Sequence, residues 1–210
     1  MRAMVLDRPG QALQCRQLPV PEIGPGQLLL RVTACGICRT DLHVVDGDLT
    51  EPRLPIVPGH QVVGVVEQLA PGSEAFQLGQ RVGIPWLGGS CGHCEYCRSS
   101  HENLCDHAVY TGYQVNGGFA EYVTAPADFV YGLPEALSDI EAAPLLCAGI
   151  IGYRCLRQCE LKNWAGAKLG LYGFGAAGHI AIQIARFRGA DVYVCTRDHE
   201  RHQALAEELG

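Results

Sequence analysis

Four cysteines crowd one short stretch of this chain: Cys91, Cys94, Cys97 and Cys105, spaced C-x2-C-x2-C-x7-C. That spacing lets four thiolates converge on one tetrahedral zinc from a single loop and leaves no coordination position open. A closed site of this kind is structural. The surrounding piece, from about 88 to 108, has no hydrophobic periodicity and few large apolar side chains. Metal must therefore hold it in shape. A chain that handles zinc this way invites a search among its other Cys and His residues for a second site with an open position.

Composition narrows the field. With 210 residues, 48% of them hydrophobic, the chain has material for one or two cored domains. The net charge is −6 and no basic run occurs, which excludes a nucleic-acid or anionic-membrane surface. No apolar run approaches the ~20 residues of a membrane span. The opening Met1–Leu6 reads as a short strand before Asp7 and Pro9-Gly10, too short and polar for a signal peptide. Eleven cysteines are an odd number, and the chain is large for a disulfide scaffold. Reduced thiols in a cytoplasmic, metal-binding protein explain the count better.

The first half reads as short strands punctuated by Gly and Pro: Gln27–Cys35, Gln61–Ala70, Arg81–Ile84 and Gly118–Ala125. Frequent strands with tight turns predict a β-barrel-like domain. At Ser138 the character changes. Ser138 and Glu141 form a capping box, since each side chain can satisfy an orphan N–H at a helix start. Helical segments follow at Ala143–Cys147 and Gly149–Gln158. A buried strand at Lys168–Tyr172, a helix at Ala176–Arg188, a strand at Asp191–Cys195 and a helix at His199–Leu209 complete the chain. Strand, helix, strand, helix opens a doubly wound parallel sheet. The fold class is mixed α/β, with domains at 1–148 and 149–210.

Gly173-Phe-Gly175-Ala-Ala-Gly178 fits G-x-G-x-x-G, follows a strand and opens a helix. Gly173 permits the tight turn, Gly175 lets a pyrophosphate approach, and Gly178 lets helix and strand pack closely. A turn of small residues with no ligand is the plainer alternative. The second strand ends in Thr196-Arg197 rather than an acidic residue. A hydroxyl and a guanidinium suit a 2′-phosphate, so the cofactor reading is NAD(P), leaning to NADP. Asp198 reads as the N-cap of the last helix.

Three dispersed segments hold the remaining ligand-type residues: Cys35-Gly-Ile-Cys38-Arg39-Thr40-Asp41-Leu-His43, Pro58-Gly-His60-Gln61 and Pro144-Leu-Leu-Cys147. Together with the four-cysteine lobe and the glycine fingerprint, they resemble a zinc-dependent alcohol dehydrogenase of the medium-chain dehydrogenase/reductase superfamily. The resemblance runs from the first strand to Gly210. It implies a GroES-like β-barrel catalytic domain followed by the first β-α-β-α of a truncated Rossmann domain. It also implies two zinc ions per chain, the catalytic one held by Cys38, His60 and Cys147. The fourth position is left for water or substrate.

Further roles follow from the resemblance. Thr40 matches the hydroxyl that takes the alcohol proton, and His43 matches the base that passes it on. Asp41 stands where a carboxylate orients the ligand histidine, and Gln61 replaces a common glutamate beside it. Arg39 matches a pyrophosphate contact and Trp86 a substrate-pocket aromatic. The implied reaction is hydride transfer between NAD(P) and small primary alcohols or aldehydes, by a homo-oligomer when full length. Two parallel-sheet strands fall short of the six that a dinucleotide domain needs. The chain therefore reads as an N-terminal fragment, inactive alone. A non-catalytic zinc-binding module, or a zinc-independent quinone or enoyl reductase of the same superfamily, are the rival readings.

Overall fold

The computed structural model describes residues 1–49 and 52–210 of the chain. Its strands are β1 (Arg2–Val5), β2 (Gln14–Gln17), β3 (Gln27–Gly36), β4 (Gln61–Leu69), β5 (Arg81–Ile84), β6 (Leu87–Gly89), β7 (Val109–Tyr110), β8 (Tyr122–Pro126), β9 (Tyr131–Gly132), β10 (Lys168–Tyr172) and β11 (Asp191–Cys195). The α-helices are α1 (Arg39–Asp46), α2 (Glu95–Arg98), α3 (Asp139–Ala142), α4 (Ala148–Gln158), α5 (Ala176–Phe187) and α6 (Ala204–Leu209). Two compact units result, Met1–Leu146 and Cys147–Gly210. No described helix is long and apolar enough to cross a membrane.

In the first unit an antiparallel sheet runs in the order β8-β3-β4-β5-β9. Its core joins Leu28 and Leu30 of β3 to Val62, Val66, Val82, Ile84 and Val123. Each such side chain contributes about 1.5–3 kcal/mol by leaving water. The β3–β4 register slips between Val32 and Ala34. Gly64 lies opposite that slip, and a Cβ there would stand 2.7 Å from the Arg31 carbonyl oxygen. Close backbone approach, not flexibility, requires the glycine.

The strand expected at Gly118–Ala125 begins only at Tyr122. Ahead of it, the amides of Gly117, Gly118 and Phe119 donate to the carbonyls of Val57, Gly59 and Pro58. Those donors serve a loop corner and are lost to the ladder. The helix expected at Ala143–Cys147 is a 3₁₀ turn over Ala143–Leu146, where Pro144 supplies no N–H to an α-helical ladder.

In the second unit β10 and β11 pair in parallel, Lys168 against Asp191 through Tyr172 against Cys195, with α5 as the crossover. α4 packs on α5 so closely that a Cβ on Gly152 would lie 2.8 Å from the Ala177 carbonyl oxygen. β10 differs from its expectation as a buried strand: Leu169 is buried but Tyr172 is 89% exposed. α5 covers one sheet face only, whereas parallel sheets ordinarily bury both. The last helix also differs. Asp198 caps it as expected, its carboxylate accepting from the Arg201 amide at 2.9 Å. Both His202 and Gln203 amides then donate to the Asp198 carbonyl, so a π-helical turn over His199–Gln203 precedes α6.

Candidate functional site

Among the described residues, two groups of thiol and imidazole ligand atoms converge: Cys91, Cys94, Cys97 and Cys105, and separately Cys38, His60 and Cys147. Within each group the ligand atoms lie within 4.8 Å of one another. In the first, Cys91 and Cys97 sulfurs are 3.9 Å apart, and those of Cys94 and Cys97 are 3.5 Å apart. A tetrahedron with metal–sulfur bonds of about 2.3 Å has edges of about 3.8 Å, so the sulfurs already sit at coordination spacing.

Backbone amides prepare these sulfurs for negative charge. The N–H groups of His93 and Cys94 hold the Cys91 thiol down to about 6, and the Ser90 hydroxyl lowers Cys97. The Cys97 amide also lowers Cys94, but burial and the neighbouring sulfurs outweigh it and leave Cys94 at about 11. A divalent cation bound among the four sulfurs would displace the protons they carry. His93 turns its Nδ1 to the Cys91 carbonyl at 2.7 Å. Neither α2 nor the 3₁₀ turn Glu102–Leu104 buries any side chain, so the lobe has almost no core of its own.

In the second group Asp41 holds Cys38 and His60. Its Oδ2 accepts the Cys38 amide at 2.8 Å, starting α1. Its Oδ1 accepts the Gly59 amide at 3.2 Å and meets His60 Nδ1 at 2.9 Å. An ionised carboxylate only accepts, so Nδ1 carries the proton and Nε2 keeps its lone pair. That Nε2 is fully buried and has no hydrogen-bond partner. A buried acceptor costs about 1–3 kcal/mol if unsatisfied, and two cysteine sulfurs lie beside it. The set of one imidazole and two thiols is a divalent transition-metal donor set, and zinc suits it. Cys147 directly follows Leu146, whose side chain is buried against Val63, Ala142 and Ala143 in the first unit.

Sequence reasoning missed the glycine corner that carries His60. Gly59 has φ +96°, and a Cβ there would strike Phe119 at 2.6 Å. A Cβ on Gly117 would fall 2.0 Å from the Gly59 carbonyl oxygen, and one on Gly112 2.8 Å from the Gly59 nitrogen. The signal was present as Gly112 and Gly117-Gly118, but it reads locally as punctuation.

The other named residues of this unit fall as follows. Thr40 Oγ1 is 3.8 Å from Cys38 Sγ. His43 Nδ1 is 2.6 Å from Asp48 Oδ2. Arg39 is exposed at the start of α1, where a cation gains nothing from the helix dipole. Trp86 meets His60 edge-on at 4.9 Å and stacks on Tyr110 at 4.9 Å, which fixes its ring beside the His60 imidazole. Gln61 is buried, its side chain packed where a Cβ on Gly36 would stand 3.2 Å away.

In the second unit a hollow of about 370 Å³ is lined by Gly173, Phe174, Cys195, Thr196, Arg197, Asp198 and His202. The turn and the end of β11 are tied by the Gly173 amide, which donates to Cys195 at 2.8 Å. Gly173 has φ +95°, and Gly175, the N-cap of α5, has nothing within 4 Å of a notional Cβ. That open cradle at a helix N-terminus fits an anionic phosphate group. A Cβ on Gly178 would lie 3.1 Å from the Gly173 carbonyl oxygen, the close approach expected of the third glycine. His202, hydrogen-bonding distance from Thr196 at 3.3 Å, is a lining residue that sequence spacing did not single out.

The chain thus combines a strand-rich unit carrying a four-thiol lobe and a Cys-His-Cys set around the buried His60 with a glycine turn that opens a helix. Residues 24–135 match the family model for the alcohol dehydrogenase GroES-like domain. The probable alcohol dehydrogenase AdhA of Mycobacterium tuberculosis is 51% identical over 197 residues, 91% of this chain and 56% of that protein. Among solved structures, CAD from Helicobacter pylori complexed with NADP(H) superposes with TM-score 0.88 at 26% identity, over 100% of this chain and 63% of that one. A cobalt- and zinc-bound thermostable alcohol dehydrogenase from Pyrobaculum aerophilum gives 0.89 at 28%, over 100% and 64%. The chain belongs to the alcohol dehydrogenase family with a GroES-like domain, of the zinc-type medium-chain kind. It spans 54–62% of the length of the curated relatives it matches.

Proposed function

We propose that this chain supplies the metal site and the opening of the coenzyme site of an NAD(P)-dependent alcohol dehydrogenase acting on small primary alcohols and aldehydes. The observation that carries the reading is His60 Nε2: buried, without a hydrogen-bond partner, and grouped with the sulfurs of Cys38 and Cys147. Residues 1–148 form the catalytic part and 149–210 the start of the coenzyme-binding part. Two zinc ions bind per chain, a structural one at Cys91, Cys94, Cys97 and Cys105 and a catalytic one at Cys38, His60 and Cys147. When bound, the catalytic zinc supplies Lewis acidity toward an alcohol or carbonyl oxygen, and the nicotinamide accepts or gives the hydride.

The side chains do the rest. Asp41 keeps the proton on His60 Nδ1, so Nε2 always faces the metal position as a donor. The Thr40 hydroxyl, beside Cys38, takes the substrate's proton and passes it to His43. Arg39 binds pyrophosphate oxygens in its planar fork, a role that accounts for a cation at an exposed helix start. Trp86, clamped by Tyr110, forms a rigid wall of the substrate space. The Gln61 amide can hydrogen-bond but cannot lend negative charge to the metal. Thr196 and Arg197 favour NADP through the 2′-phosphate.

Metal analysis tests the reading. The wild-type chain should carry two zinc ions, and His60→Ala or Cys147→Ser only one. Cys147→Ser in a protein that oxidises alcohols should remain folded and lose activity. A Cys147→Ser protein with two zinc ions and full activity would overturn the assignment.

A further inference from the structure

His43 stands in the middle of a second aspartate–histidine pair, built differently from the Asp41–His60 pair. α1 ends at Asp46, and Gly47 adopts φ +86° as its left-handed cap. A Cβ on Gly47 would also strike Pro9 at 2.7 Å, so this position demands glycine twice over. The cap reverses the chain. Gly47 and Asp48 amides both donate to the His43 carbonyl, at 3.1 and 3.0 Å. The same reversal lays the Asp48 carboxylate on the His43 ring, Oδ2 to Nδ1 at 2.6 Å. Asp48 thus holds residue 43 by its main chain and its side chain together. From the other side the Gly10 amide donates to the Val45 carbonyl at 2.6 Å, which pins the turn.

Stability does not account for the pair. The two side chains are 38% and 60% exposed, and ion pairs of that exposure contribute about 0–1 kcal/mol. Other charges near His43 do not compete for Nδ1. Arg39 and Asp46 lie one helical turn before and after it on α1, and Asp7, in the segment that pins the turn, is engaged by Arg16. A carboxylate can only accept, so contact with Nδ1 requires that Nδ1 carry the ring proton. Nε2 is then the basic nitrogen.

We infer that Asp48 is a positioning residue for His43. It fixes the neutral imidazole as the Nδ1–H tautomer and leaves Nε2 to accept the relayed proton. The inference rests on the reading of His43 as the relay base. It adds which nitrogen receives the proton and which residue enforces that choice.

The test needs no substrate or coenzyme. Ring-¹⁵N-histidine chain of all 210 residues is observed by long-range ¹H–¹⁵N correlation near pH 8, with His43 assigned through His43→Gln. Wild type should show His43 with a protonated Nδ1 and a bare Nε2. Asp48→Ala should shift the ring to mostly Nε2–H, the form favoured without a partner. Asp48→Asn should restore the Nδ1–H form, because its amide oxygen still accepts. A wild-type His43 protonated at Nε2, or a tautomer unchanged in Asp48→Ala, would overturn the inference. Zinc content measured on the same samples separates the cases: two ions with the wrong tautomer defeats the role of Asp48 and leaves the metal reading standing.

Discussion

The Asp41 carboxylate meets His60 Nδ1 at 2.9 Å, with both side chains almost wholly removed from water. The same carboxylate accepts the amides of Cys38 and Gly59. One side chain therefore ties together the two chain segments that carry Cys38 and His60. The start of α1 and the Gly59 corner are held to each other through Asp41, which places Cys38 and His60 without help from a metal.

Asp41→Asn should expose that dependence. The amide keeps one acceptor but turns an NH₂ toward a backbone N–H or the His60 ring, a donor facing a donor. Zinc affinity at the second site should fall about 10–100-fold. Chelator titration should strip one zinc early and leave the lobe's zinc in place. Equal affinity in both proteins would show that Asp41 does not orient His60.

Gly117→Ala should be among the most damaging small substitutions in the first unit. The added methyl would fall 2.0 Å from the Gly59 carbonyl oxygen, and backbone cannot yield as a side-chain tip can. We expect a loss of at least about 1–3 kcal/mol by denaturant unfolding. Gly166→Ala, at a positive-φ turn with nothing within 4 Å, serves as a comparison that strains the backbone without crowding.

Cys94→Ser removes one of four thiolates from a lobe with almost no buried side chains. The chain should hold one zinc, aggregate more readily, and become sensitive to limited proteolysis between about residues 90 and 107. Unchanged proteolysis would mean that contacts other than metal shape this loop.

Acid stability should report Asp139. The Thr33 hydroxyl and the Arg81 guanidinium, 2.5 Å away, hold its carboxyl below the ordinary aspartate value. A depressed folded-state value stabilises the protein above the unfolded pKa of about 3.9 and loses that contribution as pH falls through the folded value. Asp139→Asn should lower stability at pH 7 by on the order of 1 kcal/mol, given its partial exposure. The gap to wild type should close as pH falls below the ordinary aspartate range and through the depressed folded value. Parallel pH profiles would rule the ion pair out as a contributor.

Coenzyme preference should follow Arg197, which lines the hollow beside Gly173. Arg197→Ala should weaken binding of adenosine 2′,5′-bisphosphate by about 10-fold, the loss of one charge-assisted contact, and leave adenosine 5′-phosphate unaffected. Calorimetric titration of both nucleotides checks this, and equal losses would refute a 2′-phosphate contact.

Much of this was legible before any coordinates. Ser138 and Glu141 satisfy each other's amides as their spacing requires, at 2.8 and 3.3 Å. β10, α5 and β11 fall within a residue of their expected bounds, because glycine turns and apolar runs delimit them. The Gly118–Ala125 strand began late, since its first amides had partners far away in sequence. The exposed face of β10 was also invisible, because an apolar run does not say which of its sides is covered.

By itself the sequence determined the four-thiol lobe, the glycine turn and the helix starts. Each is closed by residues a few positions apart, where covalent spacing leaves few geometries. Only the tertiary structure decided that Cys38, His60 and Cys147 converge, that Asp41 and Asp48 meet the Nδ1 atoms of His60 and His43, and that glycines far along the chain seat His60. Those facts depend on strand register, a glycine corner and single carboxylate contacts, whose geometry arises only when distant segments pack together.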